Sequence, residues 1–255
     1  MEKALEAVLA WWEISGVEIP DMPKSPRPSP MGKGTPSPQS APQMVGTAAP
    51  KKVVDHTSPA EHSVKLTQKI SSLSELENVI RSFDAGEISD HARQSVFARG
   101  NPEADIMVIG EAPGRDEDIQ GKPFVGRSGQ LLDRMLASIG LSEENCYISN
   151  IVNWRPPQNR NPKPDEIAMC LPFIHKHIEL VDPKIILMVG GISMSALTGV
   201  NGIMKNRGQW SSIKIGKKDY RALPIYHPAF LLRQPGLKKD AWQDLLTLKE
   251  HYMAL

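Results

Sequence analysis

The chain has 255 residues, 23% charged and 40% hydrophobic, with a net charge of +1, the balance of a globular protein with one large domain or two small ones. No apolar run nears the roughly 20 residues that span a bilayer. The N-terminus has neither the basic stretch nor the small-residue cleavage site of a secretory signal, and Cys146 and Cys170, the only cysteines, exclude a disulfide scaffold and a four-thiolate metal site within one chain. The expected compartment is the cytoplasm, with no membrane contact. Charge is spread unevenly: residues 61–153 carry 9 Lys/Arg against 15 Asp/Glu (net −6), and residues 154–239 carry 14 against 5 (net +9). Either a basic face attracts a polyanion, or the charges scatter over a solvated surface.

Residues 1–19 form the first predicted unit. Leu5, Val8, Leu9 and Trp12 fall on one stripe of a helix over 2–14, which packs on the chain's own domain or docks a protein partner. Residues 20–60 are rich in Pro, Ser and Gly without apolar periodicity and read as a flexible linker. A folded domain is expected over 61–255. Its first clear helix is 73–83, with Ser72 as N-cap and Glu75 at the third position. From 104 the chain alternates. Apolar strands are predicted at 104–110, 146–154, 184–191 and 220–228, and helices at 128–140, 163–181 (around Pro172), 192–198 and 238–253. This pattern predicts an α/β fold, a three-layer α/β/α sandwich with a central four-stranded, mostly parallel sheet. Such sheets place their sites at the carboxyl ends of strands, which singles out the segments after Gly110, near Asn150, after Gly190 and at His227.

Those ends carry GEAPGRDED (110–118), GKPFVGRSGQLLD (121–133), ISNIVNWRPPQNRNPKPDE (148–166) and HPAFLLR (227–233). Four such motifs in order, spanning about Asn101 to Arg233, resemble the family 4 branch of the uracil-DNA glycosylase superfamily. The resemblance implies base excision repair: a uracil flipped out of DNA, cut from its sugar, and an abasic site left behind. An extruded base has to regain its lost stacking, and Phe124 is the candidate ring, with a plain core phenylalanine as the alternative. A fixed amide at Asn150 can accept from uracil N3–H and donate to O4, a pattern cytosine does not offer. Gly110 and Ala112 complete the expected uracil-binding set. His227 is the expected donor to the leaving base's O2. Of the four acids in the first motif, Glu111 ranks first and Glu117 second for stabilising the sugar cation and orienting water; Asp116 and Asp118 read as loop acids. Phe230, Leu231 and Leu232 supply an apolar wedge, with Leu231 or Leu232 in the core. Arg233, Arg155 and Arg160 are expected on phosphates. The other histidines read as surface residues.

Members of this branch hold an iron–sulfur cluster on four cysteines. By the same resemblance those positions fall on Phe83, Gly86, Trp154 and Cys170, so no cluster, metal or cofactor is expected, and Phe83 and Trp154 are expected to fill the gap by apolar packing. The sequence lacks the Arg-rich insertion and histidine nucleophile of the covalent branch, and Lys122 is the sole lysine in the strand-end segments apart from Lys163. Water attack without a covalent intermediate is therefore expected. Uracil-containing DNA and its abasic product are the expected partners, and a monomer the expected state. Two alternatives stay open: a glycosylase for another deaminated base, and a protein that binds uracil or abasic DNA with little turnover.

Overall fold

A computed structural model describes residues 58–254; the helix expected in 1–19 and nearly all of the linker expected over 20–60 lie outside the described residues. The first described helix, α1 (Pro59–Thr67), starts on a capping box. Ser58 Oγ accepts from the Glu61 N–H at 3.2 Å, and the Glu61 carboxylate accepts from the Ser58 N–H at 3.0 Å. Next come α2 (Leu73–Ser82), capped by Ser72, and α3 (Glu87–His91).

A two-residue strand β1 (Arg99–Gly100) opens the sheet, followed by β2 (Ile106–Gly110), α4 (Arg115–Gln120), α5 (Arg127–Ala137), β3 (Cys146–Asn150) and α6 (Pro164–Val181), which continues through Pro172. Then come β4 (Ile185–Val189), α7 (Gly191–Thr198), α8 (Ile203–Asn206), β5 (Ser211–Ile215), β6 (Lys218–Ile225), α9 (Pro228–Arg233) and α10 (Lys238–Tyr252).

The sheet has six strands in the order β1-β3-β2-β4-β6-β5. The central four are parallel, as the apolar runs imply, and β1 and β5 are antiparallel edges. The four-strand expectation is thus enlarged by two. β1 is too short to register as a pattern, and β5 (SSIKI) alternates exposed and buried positions instead of forming a continuous apolar run.

Successive residues of β2 serve opposite faces. Ile106 and Val108 pack against Leu131, Leu132 and Met135 of α5 and Leu245 of α10. Met107 and Ile109 pack against Leu76 of α2, Phe173 of α6 and Met194 of α7. Helices therefore cover both faces. The register pairs Gly110 with Asn150, which sets the ends of β2 and β3 side by side, and β6 delivers His227 at the same edge of the sheet.

His177 departs from the surface reading. It is buried on α6, its Nε2 lies 3.0 Å from the Tyr147 hydroxyl, and its ring stacks on Phe97 at 4.4 Å. Burial holds its pKa down to about 3, so it is neutral in the folded protein.

Candidate active site

The strand ends enclose a cavity of about 420 Å³ lined by Glu111, Ala112, Glu117, Phe124, Asn150, Arg160, His227 and Arg233, among others. Gly110, the last residue of β2, packs directly against two of these lining side chains. A Cβ there would lie 2.4 Å from both the Phe124 ring and the Asn150 side-chain oxygen, so only a glycine lets ring and amide meet over the strand end.

Asn150 is buried and closes β3, and among the described residues no hydrogen bond occupies its side-chain amide. Phe124 is buried with a positive φ of 54°, and its ring stacks on His227 at 5.8 Å between centroids.

His227 caps α9, and its Nδ1 accepts from the Ala229 N–H at 3.1 Å. A nitrogen that accepts carries no proton, so the neutral ring bears its proton on Nε2. Burial, aided by the Arg233 charge, lowers the His227 pKa to about 4. The side chain is therefore a neutral donor at ordinary pH.

Glu111 follows β2. Burial lifts its carboxyl above the usual range and the Arg233 charge partly opposes this. No described residue donates a hydrogen bond to that carboxylate. Glu117 lines the same cavity, but its oxygens are engaged: Oε2 accepts from the Gly114 N–H at 3.1 Å, and Oε1 from the N–H groups of Val125 and Gly126 at 3.0 and 2.9 Å. Asp118, read from sequence as a loop acid, is buried and accepts from the Arg93 N–H at 2.8 Å.

The residues expected on DNA divide. Leu231 is fully buried among Leu131, Leu245 and their neighbours, Phe230 leans on Tyr226 at 5.4 Å, and Leu232 is 38% exposed. Of the leucine pair, the core member is Leu231, and its place in the wedge is corrected accordingly. Arg233 is exposed at the cavity mouth. Arg160 makes two bonds to Glu166, at 2.6 and 2.8 Å, and Arg155 donates to Asn159 at 2.7 Å. Both arginines are half-buried and brace the proline-rich loop through these bonds, and Arg160 also lines the cavity.

At the positions matched to cluster ligands, Phe83 lies 6.2 Å from the Trp154 ring and 5.0 Å from Phe173. Cys170 is the only one with a ligating atom, and burial pushes its thiol up to about 12. Among the described residues no group of three or more His, Cys, Asp or Glu can hold a metal. The residues present do not fit an iron–sulfur cluster.

A buried amide and a neutral imidazole donor around an aromatic face can select a planar heterocycle by its edge and stabilise negative charge developing on it. That is the equipment of an enzyme acting on a nucleobase. Comparison narrows the class. The profile of the uracil DNA glycosylase superfamily matches residues 97–246, and the chain belongs to that superfamily. It is 42% identical to a type-4 uracil-DNA glycosylase of Saccharolobus solfataricus over 62% of this chain and 76% of that protein. It is 41% identical to one of Thermotoga maritima, over 60% and 81%, and 37% identical to one of Archaeoglobus fulgidus, over 59% and 78%.

Proposed function

We propose that the protein removes uracil from DNA by hydrolysing its N-glycosidic bond and leaves an abasic site. The observation that carries this reading is the pairing, in one cavity, of a free buried amide at Asn150 with a donor at His227 whose tautomer is fixed by Ala229. Flipping the base costs a few kcal/mol of stacking and pairing. A stack on Phe124, worth about 1–3 kcal/mol, recovers part of it.

Asn150 accepts from N3–H and donates to O4, which selects uracil over cytosine. As the C1′–N1 bond breaks, its electron pair passes to the base and charge collects on O2, where His227 Nε2–H donates. The sugar becomes cation-like, and Glu111 stabilises it and orients the attacking water. The water's hydroxyl bonds C1′, and its other proton leaves toward the carboxylate. Arg233 engages a phosphate and Leu232 fills the gap left by the base. No covalent intermediate is needed. Action in the cytoplasm, as a monomer, goes with this proposal.

The test uses single-uracil oligonucleotides, paired with G, paired with A, or single-stranded, followed by alkali and a denaturing gel. Alkali-dependent cleavage by wild type, strongly reduced in Asn150→Ala, is the expected result. Binding without cleavage would instead favour a DNA-binding role, and cleavage only at another deaminated base would favour a different lesion.

A further inference from the structure

The aromatic face of the cavity is carried on a strained turn. Phe124 has φ 54°, a left-handed conformation that a bulky L-residue adopts only where its surroundings impose it. The helix that follows makes room for the turn: a Cβ on Gly129 would lie 1.8 Å from the Phe124 carbonyl oxygen. Two ionic side chains grip the turn, one through its N–H groups and one through its carbonyls. Glu117 accepts from the N–H groups of Val125 and Gly126 at 3.0 and 2.9 Å. From β1, Arg99 donates from Nε to the Pro123 carbonyl at 2.8 Å and from Nη2 to the Phe124 carbonyl at 3.2 Å.

Arg99 is itself held in place. Its guanidinium pairs with Asp133 on α5 and with Glu143 in the loop before β3, and its side chain is only 7% exposed. Its backbone is registered against Ile148 of β3, the strand that ends in Asn150. It does not line the cavity, so any effect on a bound base has to pass through the turn.

We infer that Arg99 is a positioning residue for base capture: its guanidinium fork locks the strained Phe124 turn and so fixes the stacking ring in register with Asn150. This rests on the uracil reading above. Only a guanidinium can serve two carbonyls and two carboxylates at once. A lysine keeps the charge but concentrates it on one nitrogen and loses the fork.

The experiment is a double-mutant cycle in the full chain, read as the single-turnover rate of uracil excision: wild type, Arg99→Lys, Phe124→Leu, and both together, with a melting temperature for each. Loss of a base stack corresponds to about 5- to 150-fold. Arg99→Lys is expected to lose about tenfold of this in the wild-type background and less than about twofold in the Phe124→Leu background, because the ring it positions is gone. Should Arg99→Lys fail to fold, the same cycle with Asp133→Asn, which frees the guanidinium from one anchor, is expected to show the same non-additivity. Equal fold losses in both backgrounds would make Arg99 a general scaffold residue and overturn the inference. A folded wild type that excises no uracil would instead bring down the underlying reading, an outcome visible before any variant is made.

Discussion

Replacing His227 with alanine tests the leaving-group argument at its centre. Nδ1 is committed to the Ala229 N–H, and burial holds the ring neutral down to about pH 4, so the Nε2 proton is available over the whole working range. Removing one donor aimed at a developing anion typically costs about 2.7–4 kcal/mol, or about 10²–10³ in rate. His227→Ala should therefore lower single-turnover excision by two to three orders of magnitude while DNA affinity changes little. The substitution also removes the N-cap of α9, worth about 0.5–2 kcal/mol of stability. His227→Asn, which keeps a cap acceptor, separates the two effects: it should melt close to wild type and still lose more than about tenfold in rate. Because the folded imidazole is already neutral, the wild-type rate should show no histidine break between about pH 5 and 8. A wild-type rate that follows a group titrating near 6.5, or a His227→Ala loss under about fivefold, would refute the neutral-donor reasoning.

In the proposed function the carboxylate role falls to Glu111, whose pKa burial raises. Its acid limb in kcat/KM should therefore lie above the ordinary carboxylate range, and it should vanish in Glu111→Gln with a large loss of rate. Arg233→Gln removes the charge that opposes the burial shift of Glu111, so it should move that limb to still higher pH and weaken DNA binding in a salt-dependent way. Leu232→Ala should leave the melting temperature near wild type but weaken binding to uracil-containing duplex, measured by fluorescence anisotropy, more than binding to the single strand. His177 has an unfolded pKa near 6.5 and a folded one near 3, so in that window the unfolded chain binds the extra proton. Its contribution is complete above about pH 6.5 and is lost as pH falls toward 3. Urea melts should show a shallower acid slope for His177→Phe than for wild type, whatever its stability at neutral pH.

What the sequence makes legible follows the physics of each signal. β2, β3, β4 and the Ala222–Ile225 half of β6 are buried throughout and appear as apolar runs, and their carboxyl ends locate Gly110, Asn150 and His227. Edge strands leave a weaker trace. The division between Leu231 and Leu232 depends on the phase of a six-residue helix, which two adjacent leucines cannot specify. The sequence ranks Glu117 as a second catalytic acid but carries no sign of its bonds to Val125 and Gly126, which depend on how the next turn folds back. Arg99 grips carbonyls 24 and 25 residues away, and backbone acceptors carry no side-chain signature. His177 follows Phe173 by four residues and Cys170 by seven, on the buried stripe of α6, so its spacing signals burial, while the partners of its ring, Tyr147 and Phe97, come from distant parts of the chain.

The region matched to cluster ligands yields the last prediction. A four-thiolate cluster ties distant loops together by covalent bonds to a common core. Here the corresponding loops meet through Phe83, Trp154 and Phe173, with His62 of α1 edge-on to Phe83 at 5.7 Å. Phe83 ends α2, Trp154 opens the proline-rich loop beside the cavity and Phe173 belongs to α6, so these contacts join the α1–α2 segment to one wall of the site. Trp154 is 3% exposed. Truncating a buried aromatic side chain to alanine costs about 3–5 kcal/mol, which at about 2–4 °C per kcal/mol for a domain of this size is a fall of about 6–20 °C in Tm. Trp154→Phe retains much of the apolar volume and should recover most of that loss. If aromatic packing carries the joint, Trp154→Ala should also loosen the Arg155–Arg160 loop, seen as faster proteolysis there, before the sheet melts. A Trp154→Ala protein as stable as wild type would mean that the joint is held elsewhere, and that the tryptophan merely occupies space where a ligand would otherwise stand.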